Sequence, residues 1–163
     1  MLTQEYLKSI LHYDPETGIF TWLKCSRKGN SGKIAGNKSN GYNRIRINKK
    51  LYRAHRLAFL YCFGCIPKYI DHINRDTTDN RISNLRGCTQ SQNMANTPTK
   101  GNNTSGFRGV SWHKNMGQWR ADICHHGKQH SLGHFSDPEA AHEAYKKAHV
   151  EAFGEFSPFF SAG

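Results

Sequence analysis

The chain has little acidic charge and no long apolar run. Acidic residues number 12 against 23 Lys and Arg. No apolar stretch approaches the ~20 residues of a membrane-spanning helix, which excludes an anchor of that kind. The opening residues, Met1 to Tyr6, include Glu5 and no apolar core, so no secretory leader is expected. Hydrophobic residues make up 36%, which suits small domains with thin cores better than one large core. No internal repeat is present.

Cysteine is sparse and odd in number: Cys25, Cys62, Cys65, Cys88 and Cys124. Such a set is not the framework of a disulfide-rich secreted scaffold. Cys62 and Cys65 form a C-x-x-C, but a structural zinc site needs a second pair at similar spacing. None exists, so no structural zinc is expected, and these thiols read as small apolar fillers on a buried helix.

The excess of positive charge is uneven. Residues 1–100 carry 17 basic and 6 acidic side chains, whereas residues 101–163 carry 6 of each. Within the latter, 101–135 is basic and 136–163 acidic. Placement of this kind points to a polyanionic partner.

Thr3 to His12 reads as a short helix capped by Thr3, with Tyr6, Leu7, Ile10 and Leu11 on one face. Ile19–Leu23 reads as a strand, and 24–40 as a basic loop with a short strand near Ile34. Tyr42, Arg44, Arg46 and Asn48 alternate with Asn43, Ile45 and Ile47, the pattern of a half-buried strand with a basic face. Ala54 to Phe63 is apolar enough for a buried helix ended by Gly64. Residues 97–105 read as a polar linker. Three strand candidates follow, 107–112, 118–125 and 129–135. A capping box at Ser136–Glu139 then starts a helix with Ala141, Ala144, Tyr145, Ala148 and Ala152 inward and Gly154 at its end.

The segment 69–96 concentrates the chemistry. It reads Y-I-D-H-I-N-R-D, then N-R-I-S-N-L-R, then Q-N. Asp71 offers a hard oxygen ligand for Mg²⁺ or Mn²⁺ beside His72, a general base for water. Asn93, on a helix expected over 89–95, supplies a further oxygen. Taken alone, an Asp-His pair is more often a surface turn than an active site, and Asn84 is also compatible with a local turn hydrogen bond. His55 reads as a packed core histidine.

The run from His55-Arg56-Leu57 through I-D-H-I-N, D-N-R-I-S-N-L-R and S-Q-N-M-A-N resembles the HNH homing endonucleases of phages and introns. Within them it resembles the branch whose third motif residue is Asn. The segment Y-D-P-E-T-G-I-F-T-W and G-Y-N-R-I-R-I-N is similar to the N-terminal part of these enzymes. The resemblance implies an α+β chain with a ββα-metal nuclease module and one divalent ion, Mg²⁺ or Mn²⁺. It implies that His72 activates water, that Asp71 and Asn93 ligate the ion, and that Asn84 braces the loop orienting His72. Arg53 and Arg56 flank this site, where they either clamp phosphates or solvate a helix end; phosphate contact is the expectation. A neutral Asn93 in place of His leaves metal preference open.

The segments S-G-F-R-G-V-S-W, G-Q-W-R-A-D-I, L-G-H-F and A-A-H-E-A-Y-K-K-A resemble the APETALA2/ethylene-response DNA-binding domain. That resemblance implies a small three-stranded antiparallel sheet packed on one helix. It also implies DNA contacts from Arg108, Trp112, Trp119 and Arg120. The expected organisation is a nuclease domain over 1–97 (N-terminal segment 1–53, core about 54–97), a linker over 98–105, and the second domain over 106–163. The expected partner is double-stranded DNA, with no membrane, in the cytoplasm, that of the host if the chain is phage-encoded. Oligomeric state and target sequence are not legible. Two other functions fit the same residues: a non-catalytic sequence-specific DNA binder, and an RNA-cleaving nuclease. A groove-reading sheet favours DNA over RNA.

Overall fold

The structure is a computed structural model that describes residues 2–23, 31–99 and 103–161. The chain divides into two compact units, Met1–Thr89 and Gln90–Gly163. This division falls earlier in the chain than the boundary after residue 97 expected from sequence. Among the described residues, no helix is long and apolar enough to cross a membrane.

The first unit opens with helix α1, Gln4–Ile10, where the Thr3 hydroxyl accepts from the Tyr6 amide. The chain then turns extended sooner than its apolar spacing suggests, because Leu11–Asp14 pairs as strand β1 with β2, Ile19–Trp22. Strands β3 (Asn37–Ser39), β4 (Tyr42–Ile47) and β5 (Lys50–Arg53) form an antiparallel sheet in that order. Of the residues expected as a strand near Ile34, only a single bridge from Ile34 to Thr21 is seen. Helix α2, Ala54–Phe63, follows and ends at Gly64. Strands β6 (Tyr69–His72) and β7 (Leu85–Cys88) pair antiparallel, joined by a long loop that ends in a 3-10 turn at Ile82–Asn84.

One apolar cluster holds these elements together. Leu7, Leu11, Tyr13, Phe20, Ile45, Ile47, Leu57, Ala58, Phe59, Leu60 and Leu85 are all buried in it. The alternation read in the sequence explains the contribution of β4: Ile45 and Ile47 point inward while Arg44 and Arg46 point away. The cysteines do not fill this core. Cys62, in the last turn of α2, and Cys65, just after the helix, are exposed, and Cys88 at the end of β7 is half-buried. Cys25 lies outside the described residues.

The N-terminal hairpin backs the loop between β6 and β7. Tyr13 Oη donates to the Asn80 carbonyl at 2.7 Å, and the Ile82 amide to the Pro15 carbonyl at 3.3 Å. Gly18 packs so closely here that a Cβ would lie 2.4 Å from the Arg81 nitrogen. Its φ of +71° disfavours any side chain as well.

The second unit contains helix α3 (Gln90–Ala95), strands β8 (Val110–His113), β9 (Gln118–His125) and β10 (Lys128–Phe135), and helix α4 (Pro138–Phe153). The sheet order is β10-β9-β8, all antiparallel. Val110, Ala121 and Ala141 form its small core, with Phe107, Trp119, Leu132 and Phe135 packed around. Helix α4 is capped by Asp137, whose Oδ1 accepts from the Ala140 amide at 2.7 Å; Ser136, the expected cap, lies one residue outside. Its inward face is Ala141, Tyr145 and His149. Gly109 lies against the Tyr145 ring, leaving no room for a side chain.

Candidate active site

His72 ends β6, and its position is set by three things: the strand pair, the loop that follows, and the rings beside it. The strand pair places His72 opposite Leu85 and Asp71 opposite Arg86. Asp71, His72 and Asn84 are all at least 93% buried.

The loop is held by side-chain amides and carboxylates acting on its backbone. Asn84 Oδ1 accepts from the Asn74 amide at 3.0 Å, while its Nδ2 donates to Asn74 Oδ1 at 3.0 Å and to the Asp79 carbonyl at 2.9 Å. Asp76 Oδ1 accepts from the amide and hydroxyl of Thr78. Asp79 accepts from Arg81 Nη2 at 2.6 Å and from Asn74 Nδ2 at 2.7 Å. These donors, Arg81 foremost, lower the Asp79 carboxyl to about 2. Arg75 adopts φ +65°, which closes the turn after His72, its amide donating to the His72 carbonyl at 2.9 Å. A loop so bonded fixes the backbone from which the His72 ring projects.

The rings beside His72 come from elsewhere in the first unit. His55, in the first turn of α2, meets it at 5.0 Å between centroids with planes at 87°. Tyr42, at the start of β4, lies 5.5 Å from His55 and 6.4 Å from His72. Arg53 covers the Tyr42 ring at 4.4 Å. Burial pushes both imidazoles toward the neutral form. That of His55 falls to about 3, through burial first and then the nearby His72, Arg53 and Arg56. For His72, burial also lowers the pKa, opposed by the Asn80 side chain and by Asp71. A neutral imidazole is the form that can accept a proton from water.

Basic residues lead away from this cluster. Arg44 stands directly opposite Arg53 across β4 and β5, and Arg46 continues the same face. Like charges placed face to face destabilise a sheet, and no ion pair among the described residues offsets them. Arg56 also has a local role. Its Nη1 donates to the Pro67 and Lys68 carbonyls at 3.3 and 3.4 Å, tying α2 to the turn before β6.

A divalent ion on this site would need hard oxygen ligands. Asp71 has the right chemistry, and a positive charge already sits on it: Arg86 donates from Nη2 at 2.8 Å and from Nε at 3.0 Å to its Oδ2. Asp71 is thus a buried carboxylate of the right donor chemistry for such an ion, with one oxygen engaged by Arg86. Asn93, the other expected ligand, lies on α3 in the second unit. Among the described residues no cluster of three or more His, Cys, Asp or Glu side chains forms a metal site.

The four second-unit residues expected to meet DNA do not share a face. Trp112 pairs with Trp119, and Trp119 with Phe135, two positions along from the buried Val110–Ala121 pair. Both tryptophans therefore lie on the side that packs toward α4, their rings 5.0 Å apart. Arg120 points to the opposite side, with Ser111 and His134 as its cross-strand partners, and bonds Asp122 at 2.6 Å. Arg108 donates to the carbonyls of Met94, Ala95 and Thr97, fastening the end of α3. Sequence reasoning also missed Arg86 and Tyr42 and set His55 aside. Pairing register brings Arg86 to Asp71, and no sequence signal marks it.

A family model described as HNH endonuclease matches residues 52–95. The chain is similar to Protein 3.8 of Escherichia phage T7, 37% identical over 89 residues, which cover 52% of this chain and 74% of that protein. It is also similar to an uncharacterized HNH endonuclease, L560, of Acanthamoeba polyphaga mimivirus. That match is 33% identical over 106 residues, 63% of this chain and 54%, about half, of the relative. No solved structure matches the chain significantly.

Proposed function

The chain belongs to the family of Protein 3.8 of phage T7 and carries an HNH endonuclease domain, and from this we propose that it is a metal-dependent nuclease hydrolysing phosphodiester bonds in duplex DNA. The observation that carries the reading is the placement of His72. It is a buried, neutral-leaning imidazole beside the Asp71 carboxylate, joined through Tyr42 to a face of uncompensated arginines.

His72 takes the proton of a water whose oxygen attacks phosphorus, and the bond from phosphorus to the leaving sugar oxygen breaks. Asn84 keeps the 73–79 backbone, and with it the imidazole, in line. Asp71, with Asn93 as the second oxygen donor expected from the sequence, would hold a divalent ion, Mg²⁺ or Mn²⁺, and the chemistry it would supply is stabilisation of charge on the phosphate and the leaving oxygen. Arg44, Arg46 and Arg53 receive the phosphates that flank the scissile one. In the second unit, Arg120 remains a DNA contact, on the sheet face away from α4. That three-stranded sheet backed by one helix supports an APETALA2-like binding module, and such a pairing suits a homing-type nuclease.

The test is a nicking assay on supercoiled DNA with Mg²⁺, Mn²⁺ or EDTA. Metal-dependent relaxation supports the reading. Salt-sensitive duplex binding without cleavage, on a range of substrates, would replace it with that of a non-catalytic binder.

A further inference from the structure

Asp71 and Arg86 are cross-strand partners, and both side chains are largely buried, with Arg86 14% and Asp71 6% exposed. Two N–H groups of the guanidinium reach one carboxylate oxygen. A buried pair held this way is costly to break by removing one partner, because the remaining charge loses a close counter-charge away from water. The same carboxylate is the hard oxygen ligand of the reaction described above. Two cations on one carboxylate repel each other in a site that water screens poorly.

We propose that Arg86 competes with the divalent ion for Asp71 in the DNA-free protein, so that metal binding strengthens when a phosphodiester draws the guanidinium to itself. The proposal rests on the reading of Asp71 as the ion's ligand. The guanidinium suits the exchange, since its planar fork matches phosphate oxygens as well as carboxylate oxygens. Coupling runs both ways: whatever DNA adds to metal affinity, metal adds to DNA affinity. The free protein then keeps its carboxylate matched by charge, and the site acquires its ion mainly on the substrate.

The experiment measures Mn²⁺ binding to the full chain without turnover, by the electron paramagnetic resonance of free Mn²⁺ and by thermal unfolding. The parent carries His72→Ala so that duplex DNA stays intact. Duplex DNA should tighten Mn²⁺ binding to the parent about tenfold, within the usual range of such couplings. Arg86→Gln in that parent should bind Mn²⁺ without DNA about fivefold tighter, gain more thermal stability from Mn²⁺, and respond less to duplex. Equal Mn²⁺ affinity of the parent with and without duplex overturns the proposal, whether or not Arg86→Gln folds. So does a folded Arg86→Gln that binds Mn²⁺ no tighter. Asp71→Asn separates the layers: undiminished Mn²⁺ binding in that variant overturns the ligand assignment itself, whereas a loss there with no Arg86 effect overturns the competition alone.

Discussion

The imidazoles of His55 and His72 meet edge to face at 5.0 Å, one from the first turn of α2 and one from the end of β6. Each is buried, and each is shifted toward its neutral form. A second cation beside His72 would oppose the protonation that catalysis requires of it, so a neutral His55 is the neighbour a general base tolerates.

This pairing sets the response to acid. In the unfolded chain a histidine titrates near 6.5, whereas folded His55 stays neutral down to about 3, and His149 in the second unit down to about 4. Below 6.5 the unfolded state therefore binds more protons, and stability falls progressively as pH drops toward those lower values. Thermal unfolding between pH 8 and 4.5 should show falling melting temperature below about 6.5. Replacing His55 by Phe should flatten that fall for the first unit. Because His72 is also lowered and acts when neutral, the acid limb of cleavage should lie below 6.5.

Asn84→Ala removes three hydrogen bonds that fix the 74–79 loop. The expected cost is about 2–4 kcal/mol of stability, since buried partners lose their mates. Cleavage should drop roughly 10- to 100-fold with little change in DNA affinity, the usual range for removing a group that orients a site. Unaltered turnover at a temperature where the variant is folded would show that the loop does not position His72.

Arg44 opposite Arg53 should be a liability for the free protein and an asset on DNA. Arg44→Ser is expected to leave stability unchanged or raise it by a few tenths of a kcal/mol. The same change should weaken duplex binding and make its salt dependence shallower by about one charge. Calorimetry and salt titration read the two effects separately, and a destabilised variant with unchanged DNA affinity would contradict the assignment.

In the second unit Trp119 and Arg120 should behave oppositely. Trp119 packs on the small core, so Trp119→Ala should cost about 2–3 kcal/mol, below the ~3–5 kcal/mol of a fully buried Trp. Arg120→Ala should leave melting nearly unchanged and lower DNA affinity. Trp112, 49% exposed, should tolerate Ala. A DNA defect in Trp119→Ala at full stability would return the binding surface to the α4 side.

Much of the scaffold was legible because local signals were strong. The Ile45 and Ile47 alternation, the apolar run of α2 and the alanine spacing of α4 each follow one period. Strand β3 was not legible, since Asn37, Lys38 and Ser39 are polar and exposed and the strand exists only through its pairing with β4. The nearness of Asp71 to His72 is a matter of sequence adjacency. Arg86, Tyr42 and His55 reach that site through strand register and helix docking, which a linear pattern does not encode. The same limit applies to Trp112 and Trp119: a tryptophan reads alike on either side of a sheet until Val110 and Ala121 define the inside. Arg108 and Arg56 were read as DNA contacts, and their bonds to backbone carbonyls come from turns whose position a linear pattern does not encode.

His72 is assigned here as the base of a phosphodiester hydrolysis. That role is tested most directly by comparing wild type and His72→Ala in a nicking assay on supercoiled DNA, with duplex affinity measured in parallel. Wild type should relax the DNA in a metal-dependent way, and the variant should lose this by at least about 100-fold with affinity within twofold. Full cleavage by His72→Ala would contradict it.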